Sequence, residues 1–205
     1  PSKDYIRATS DWYKDKIWMF DCIGTAKAAK ILEIFTYARK RYGVTWFVID
    51  SLMKCGIDED DYNGQKRFLE ALADFKNEHN VFVAILVHLR KGESEHKPSG
   101  KMDVKGTGAI TDLADTVSII WRNKPKEDAL KAHESGSEKL DEEMLEKVSN
   151  SSDAIWNIVK QRNHPEGWEG KVGLFFDTES LQYLAGPDAK PFQYVNYSGP
   201  VEEAA

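Results

Sequence analysis

Val44-Thr45-Trp46-Phe47-Val48-Ile49-Asp50-Ser51-Leu52 is an apolar run that ends abruptly in a carboxylate. An unbroken run of β-branched and aromatic residues of this length reads as a strand buried on both faces, the usual state of a strand in a parallel sheet. Asp50 then stands at its carboxyl end. Open α/β sheets bind ligands outside the carboxyl ends of their strands, so the position alone makes Asp50 a site candidate. The plain alternative is a carboxylate that caps the following turn.

Working outward, the segment before this strand spaces Ile31, Ile34, Phe35, Ala38 and Tyr42 as one helical face, with Thr25 as its N-cap and Gly43 as its stop. Upstream of it, Ile17-Trp18-Met19-Phe20 before Asp21 predicts a short buried strand, while residues 1–16 carry no clear structural signal. Downstream, a loop rich in Asp and Gly from Met53 to Gly64 leads to a helix that carries Phe68, Leu69, Leu72, Ala73 and Phe75 toward a core. Val81 to Val87 is a second fully apolar run, and it too ends in a polar residue, His88. Two buried strands separated by a helix, each delivering one polar side chain at its carboxyl end, predict a doubly wound α/β sheet.

Leu89 to Gly108 has no periodicity, and Arg90, Lys91, Lys97, Lys101 and Lys105 outnumber its acidic residues. A structureless stretch of this length in a compact domain is uncommon unless it is functional or disordered. Ala109–Leu113 predicts a helical turn, and Thr116 to Trp121 a third buried strand with Arg122 at its end. Residues 123–152 turn strongly charged, with apolar positions only sparsely placed, and read as a solvated helical excursion. Ala154 to Arg162 alternates as a strand whose period of two puts Trp156, Ile158, Lys160 and Arg162 on one side. Val172 to Phe176 is its hairpin partner across the turn at 163–167, and Leu181 to Leu184 a short last strand.

The composition sets limits on what this fold can do. The chain has 205 residues, 41% of them hydrophobic, enough for one sizeable core. No stretch approaches the ~20 apolar residues that span a bilayer, and the first residues lack a signal-peptide pattern, which predicts a cytoplasmic protein without a membrane partner. Two cysteines, Cys22 and Cys55, are too few for a disulfide scaffold or a Cys-based zinc site. A net charge of -6 argues against nucleic-acid binding through the whole surface, so any such contact must be local.

Several side chains have the chemistry for phosphate work. A strand-end carboxylate such as Asp50 can hold Mg²⁺ directly or through water, since Mg²⁺ commonly takes only one or two protein carboxylates plus phosphate oxygens. His88 on the neighbouring strand can sense a terminal phosphate, or serve as a structural hydrogen-bonder. Lys160 and Arg162 suit the charge that develops on a transferring phosphoryl group, or form an edge-strand solubility pair. Arg122 and Phe176 could sandwich a base, with Phe176 as a core residue the alternative.

Taken in order, Phe47-Val48-Ile49-Asp50, Val87-His88-Leu89, Lys105-Gly106-Thr107-Gly108-Ala109-Ile110 through Leu113-Ala114-Asp115-Thr116 to Trp121-Arg122-Asn123, and Val159-Lys160-Gln161-Arg162 resemble successive motifs of the hexameric DnaB-type replicative helicases. Phage primase-helicases and the related mitochondrial, Twinkle-like helicase are the nearest in pattern, because His88 stands where DnaB proteins usually carry Gln. The resemblance covers about residues 17–185. It implies a partial RecA-like P-loop NTPase core, a parallel sheet with a C-terminal antiparallel hairpin, in a 5'-3' ATP-dependent helicase. Such proteins form hexameric or heptameric rings that hydrolyse ATP or dTTP with Mg²⁺ between subunits and translocate on single-stranded DNA, here in a bacterial or phage-infected cell. By resemblance Asp50 is the Walker B carboxylate, His88 the γ-phosphate sensor, and Lys160 and Arg162 the cation and arginine finger that act on the neighbouring subunit. Arg122 and Phe176 flank the base, and Arg90, Lys91, Lys97, Lys101, Lys105 and Gly106 belong to loops that meet DNA phosphates.

The sequence contains no G-x-x-x-x-G-K-[ST] phosphate loop and lacks the family's catalytic Glu. The expectation is therefore a C-terminal helicase portion over residues 1–185, with a charged insertion at 123–152 and a tail at 186–205, inactive as an ATPase by itself. A non-catalytic single-stranded DNA-binding or subunit-interface module is the alternative. A metal-dependent phosphohydrolase using Asp50, His88 and Asp115 is weaker, because no second ligand falls at metal spacing.

Overall fold

The computed structural model describes residues 2–20, 27–89, 96–98, 100, 103–163 and 166–195. Its elements are α1 (Lys3–Tyr13), α2 (Ala28–Tyr42), β1 (Trp46–Ile49), α3 (Tyr62–His79), β2 (Phe82–Ile85), α4 (Ala109–Leu113), β3 (Thr116–Arg122), α5 (Lys124–Ser135), α6 (Glu142–Ser149), β4 (Ala154–Gln161), β5 (Gly170–Asp177) and β6 (Gln182–Leu184). The chain is α/β, but its strands form two sheets of different kinds.

β1 and β2 pair in parallel, with Trp46 opposite Phe82 and Ile49 opposite Ile85. α2 and α3 pack on the Phe47 and Ile49 side, where Ile31, Phe68, Leu69, Leu72 and Phe75 complete the core. The rings of Phe35, Phe47 and Phe75 meet at centroid distances of 4.5 to 5.8 Å. The expected burial on both faces is not met: Trp46 and Val48 are 69% and 60% exposed. Period two sends them to the opposite side from Phe47 and Ile49, and both helices cover only the latter. Cys55 lies in the same core, and burial pushes its thiol up to about 11.

The other sheet runs β3-β4-β5-β6, antiparallel throughout. The third apolar strand is thus not added to a doubly wound parallel sheet. It pairs with β4, from Thr116 opposite Gln161 to Arg122 opposite Ala154. A register shift between Val117 and Ser118 places Lys160 opposite Val117 and Ile158 opposite Ser118. Lys160 therefore shares the face of Val117 rather than that of Trp156 and Ile158, which corrects the one-sided reading of β4.

Other boundaries differ as well. Ile17 to Phe20 forms no strand, and all four side chains are exposed, so apolar character without a pairing partner makes no sheet. Residues 3–13 form a helix that Ser2 caps by accepting the Tyr5 N–H. Thr25, expected as the cap of α2, lies outside the described residues, and the helix begins after Lys27 without a side-chain cap. α2 ends as expected at Gly43, whose φ of 70° is the left-handed conformation that glycine adopts at no steric cost. The charged stretch forms the two helices α5 and α6, neither with a buried residue.

Candidate functional site

Asp50 directly follows β1, but β2 stops at Ile85, so His88, expected at its end, lies three residues beyond it and Leu86 takes the level of Asp50. Ile49 accepts the Leu86 N–H at 2.9 Å, and Leu86 accepts the Leu52 N–H at 3.0 Å, which pins the chain just beyond both strands. The Asp50 and His88 side chains are exposed and have no side-chain partner among the described residues. His88 lines a cleft of about 200 Å³ with Leu52, Asp58, Gln65, Lys105 and Gly106. Asp50 does not line it.

One wall of this cleft depends on Gln65, which sequence reasoning passed over. It is 4% exposed on the stripe that also carries Phe68, Leu69 and Leu72. Its Nε2 donates to the carbonyls of Asp58 at 3.2 Å and Glu59 at 2.9 Å, and its Oε1 accepts the Thr107 N–H at 3.1 Å. An amide at a core position of an amphipathic helix was the available signal, because a buried amide must find partners. Gly106 completes the contact: at φ 112° an added Cβ would lie 2.8 Å from both Gln65 Oε1 and Ile110 Cδ1. Only glycine fits there.

Lys160 and Arg162 converge despite the register shift. Lys160 Nζ donates to the carbonyls of Thr111 at 2.7 Å and Asp112 at 2.9 Å. Arg162 Nη2 donates to the same Asp112 carbonyl at 2.7 Å, and the Arg162 N–H to the Asp115 carbonyl at 2.8 Å. Cations at the last turn of α4 satisfy carbonyls that the helix itself leaves open. Asp115 joins this group to α3: its Oδ2 accepts from Lys76 Nζ at 2.7 Å, and its Oδ1 lies 3.9 Å from Arg162 Nη1. The Lys76 hydrogen bond, outweighing partial desolvation, holds the Asp115 carboxyl below the usual 3.8.

Arg122 and Phe176 lie at one end of the antiparallel sheet and on one face of it. Arg122 is opposite Ala154, Ala154 opposite Leu174, and Phe176 is two residues beyond Leu174. Tyr183, opposite Phe176, adds a ring at a centroid distance of 5.0 Å, and sequence reasoning missed it. Glu127 was also missed. It pairs with Arg122 through two contacts, Nη2 to Oε2 at 2.7 Å and Nε to Oε1, which raises the arginine's affinity for its proton and lowers the carboxyl's.

The basic stretch is more balanced than its sequence suggests. Lys105 Nζ lies 2.7 Å from Glu59, while Lys97 is exposed. Arg90, Lys91 and Lys101 lie outside the described residues. Among the described residues no three His, Cys, Asp or Glu side chains gather as a metal site, and no helix is long and apolar enough to cross a membrane.

No family model matches the sequence. The chain is similar to a DNA helicase/primase of Enterobacteria phage T3, 24% identical over 127 residues, which is 56% of this chain and 22% of that protein. It spans about a fifth of the length of the curated relative it matches. This partial similarity relates the chain to phage helicase-primases.

Proposed function

We propose that the chain is the strand-end and cation-bearing part of a ring-forming, ATP-dependent replicative helicase of the primase-helicase type, moving on single-stranded DNA. The observation that carries the reading is the parallel β1–β2 pair, with Asp50 directly after β1 and His88 in the segment that follows β2 and lines the neighbouring cleft. The partial similarity to a phage DNA helicase/primase supports it. Asp50, a single exposed carboxylate, would hold Mg²⁺ through water, which suits an ion that commonly takes only one or two protein carboxylates. A bound Mg²⁺ would supply charge neutralisation at the nucleotide's phosphates. His88, from the segment that follows β2, donates to or accepts from the terminal phosphate. Lys160 and Arg162 serve a neighbouring subunit's nucleotide, and α4 holds both cations in one place until that nucleotide replaces its carbonyls.

Arg122, Phe176 and Tyr183 receive the base. The segment with Arg90, Lys91, Lys97, Lys101, Lys105 and Gly106 meets DNA phosphates. Contacts of this kind release counterions, so affinity for an oligothymidine strand falls with salt. Replacing Lys97 and Lys105 by Ala should flatten the slope of log affinity against log salt by about 0.7 per lost charge. An unchanged slope in a fluorescence-anisotropy titration removes the segment from the DNA path.

A further inference from the structure

The charged insertion has no place in the reading above. Its first turn, however, is tied to the base-binding end of the antiparallel sheet by two consecutive side chains. Asn123 caps α5 by accepting the Lys126 N–H at 3.2 Å, with proline inside the first turn, so the helix starts immediately after β3. Glu127 then reaches back to hold the Arg122 guanidinium at two nitrogens. Lys126, its side chain only 9% exposed, places Nζ 2.8 Å from Asp153 Oδ1 and donates to the Ser151 carbonyl at 2.6 Å. The second oxygen of Asp153 accepts the Phe176 N–H at 2.8 Å.

We infer that the first turn of α5 is a positioning element for the base platform, with Glu127 orienting Arg122 and Lys126 holding the Phe176 backbone through Asp153. The inference rests on the reading of Arg122, Phe176 and Tyr183 as a base site and names what that site selects. A free arginine takes phosphate readily through its forked donors. Here a carboxylate already occupies one edge of the guanidinium and balances its charge, which leaves the flat face for stacking. The ligand class that fits is therefore a neutral planar heterocycle, a nucleobase, rather than a phosphate. Fixing the plane of Arg122 in advance also lowers the ordering cost of binding.

The 205-residue chain can be titrated by NMR with adenosine, with thymidine and with inorganic phosphate. In the wild type the nucleosides should shift the Phe176 and Tyr183 signals and the Arg122 Nε–H, and phosphate should leave all three in place. Glu127→Gln should weaken nucleoside binding about fivefold and make Arg122 respond to phosphate. Lys126→Gln should speed hydrogen exchange at the Phe176 amide, and Lys126→Arg should restore it. General loosening of the fold would not exchange one ligand class for the other. Wild-type behaviour in Glu127→Gln, or a phosphate response at Arg122 in the wild type, overturns the inference and leaves the base site standing. No nucleoside shift in the wild type removes the base site and the inference with it.

Discussion

The two sheets put charge to opposite uses. At the mouth of the parallel pair, Asp50 and His88 stand in solvent with no side-chain partner among the described residues, while the apolar core lies directly behind them in Phe47, Ile49 and Phe75. On the antiparallel sheet and beside it the cations are held: Lys160 and Arg162 by the end of α4, Arg122 by Glu127, and Lys126 of α5 by Asp153. The difference shows where rigidity comes from in each half. Buried rings fix the first half and leave its polar ends free for a ligand. Charged hydrogen bonds fix the second half, so a ligand there must displace or accept an existing geometry.

This contrast can be broken at its strongest point first. Phe75→Ala removes a ring that touches Phe35 and Phe47, and should cost about 3–5 kcal/mol in urea denaturation. A cost under ~1 kcal/mol would mean that the core behind β1 does not hold the chain together. Next is the segment between the sheets. Gly106→Ala forces a Cβ into Gln65 and Ile110 at positive φ and should cost about 1–3 kcal/mol in the same assay. A neutral result would deny that the Gln65 contact fixes this wall of the cleft.

The smallest effect belongs to the tie between the halves. Asp115→Asn should cost about 1 kcal/mol at neutral pH, since the Lys76 pair is only partly shielded from water. The folded carboxyl titrates below its ordinary 3.8, so its contribution is complete above that value and is lost as pH falls through the folded one. The wild type should therefore lose its advantage over Asp115→Asn on acidification below roughly pH 4, as followed by denaturation midpoints. An advantage that persisted there would place the effect in something other than the charge of Asp115.

Local pattern revealed the elements better than their partners. The stop at Gly43, the apolar faces of α2 and α3, and the strands at Trp46, Phe82, Thr116 and Ala154 all follow from spacing and from turn residues. What β3 pairs with does not, because a continuous apolar strand looks the same in a parallel sheet and in an antiparallel one. The shift at Val117 is equally silent in sequence, yet it decides which face Lys160 takes. Ile17 to Phe20 misled because apolar residues mark a strand only where a neighbouring strand completes the hydrogen bonds.

The candidate site divides in the same way. Asp50 stands directly after β1, as position along the chain implies, whereas the apolar run to Val87 overstates β2, which ends three residues before His88. Gln65 left one mark, an amide on the apolar stripe of α3, whereas Tyr183 and Glu127 enter only through contacts that local pattern does not show.

The central claim, that this chain supplies the cations and strand ends of a helicase motor, is tested most directly by DNA-stimulated ATP hydrolysis. The assay compares residues 1–205 with a longer polypeptide that joins them to a phosphate-cradling loop. The account predicts no turnover from residues 1–205 and turnover from the longer protein, reduced about 10³-fold or more by Arg162→Ala with nucleotide binding nearly intact. Robust hydrolysis by residues 1–205 alone would contradict it, as would an Arg162→Ala loss that falls equally on binding and rate.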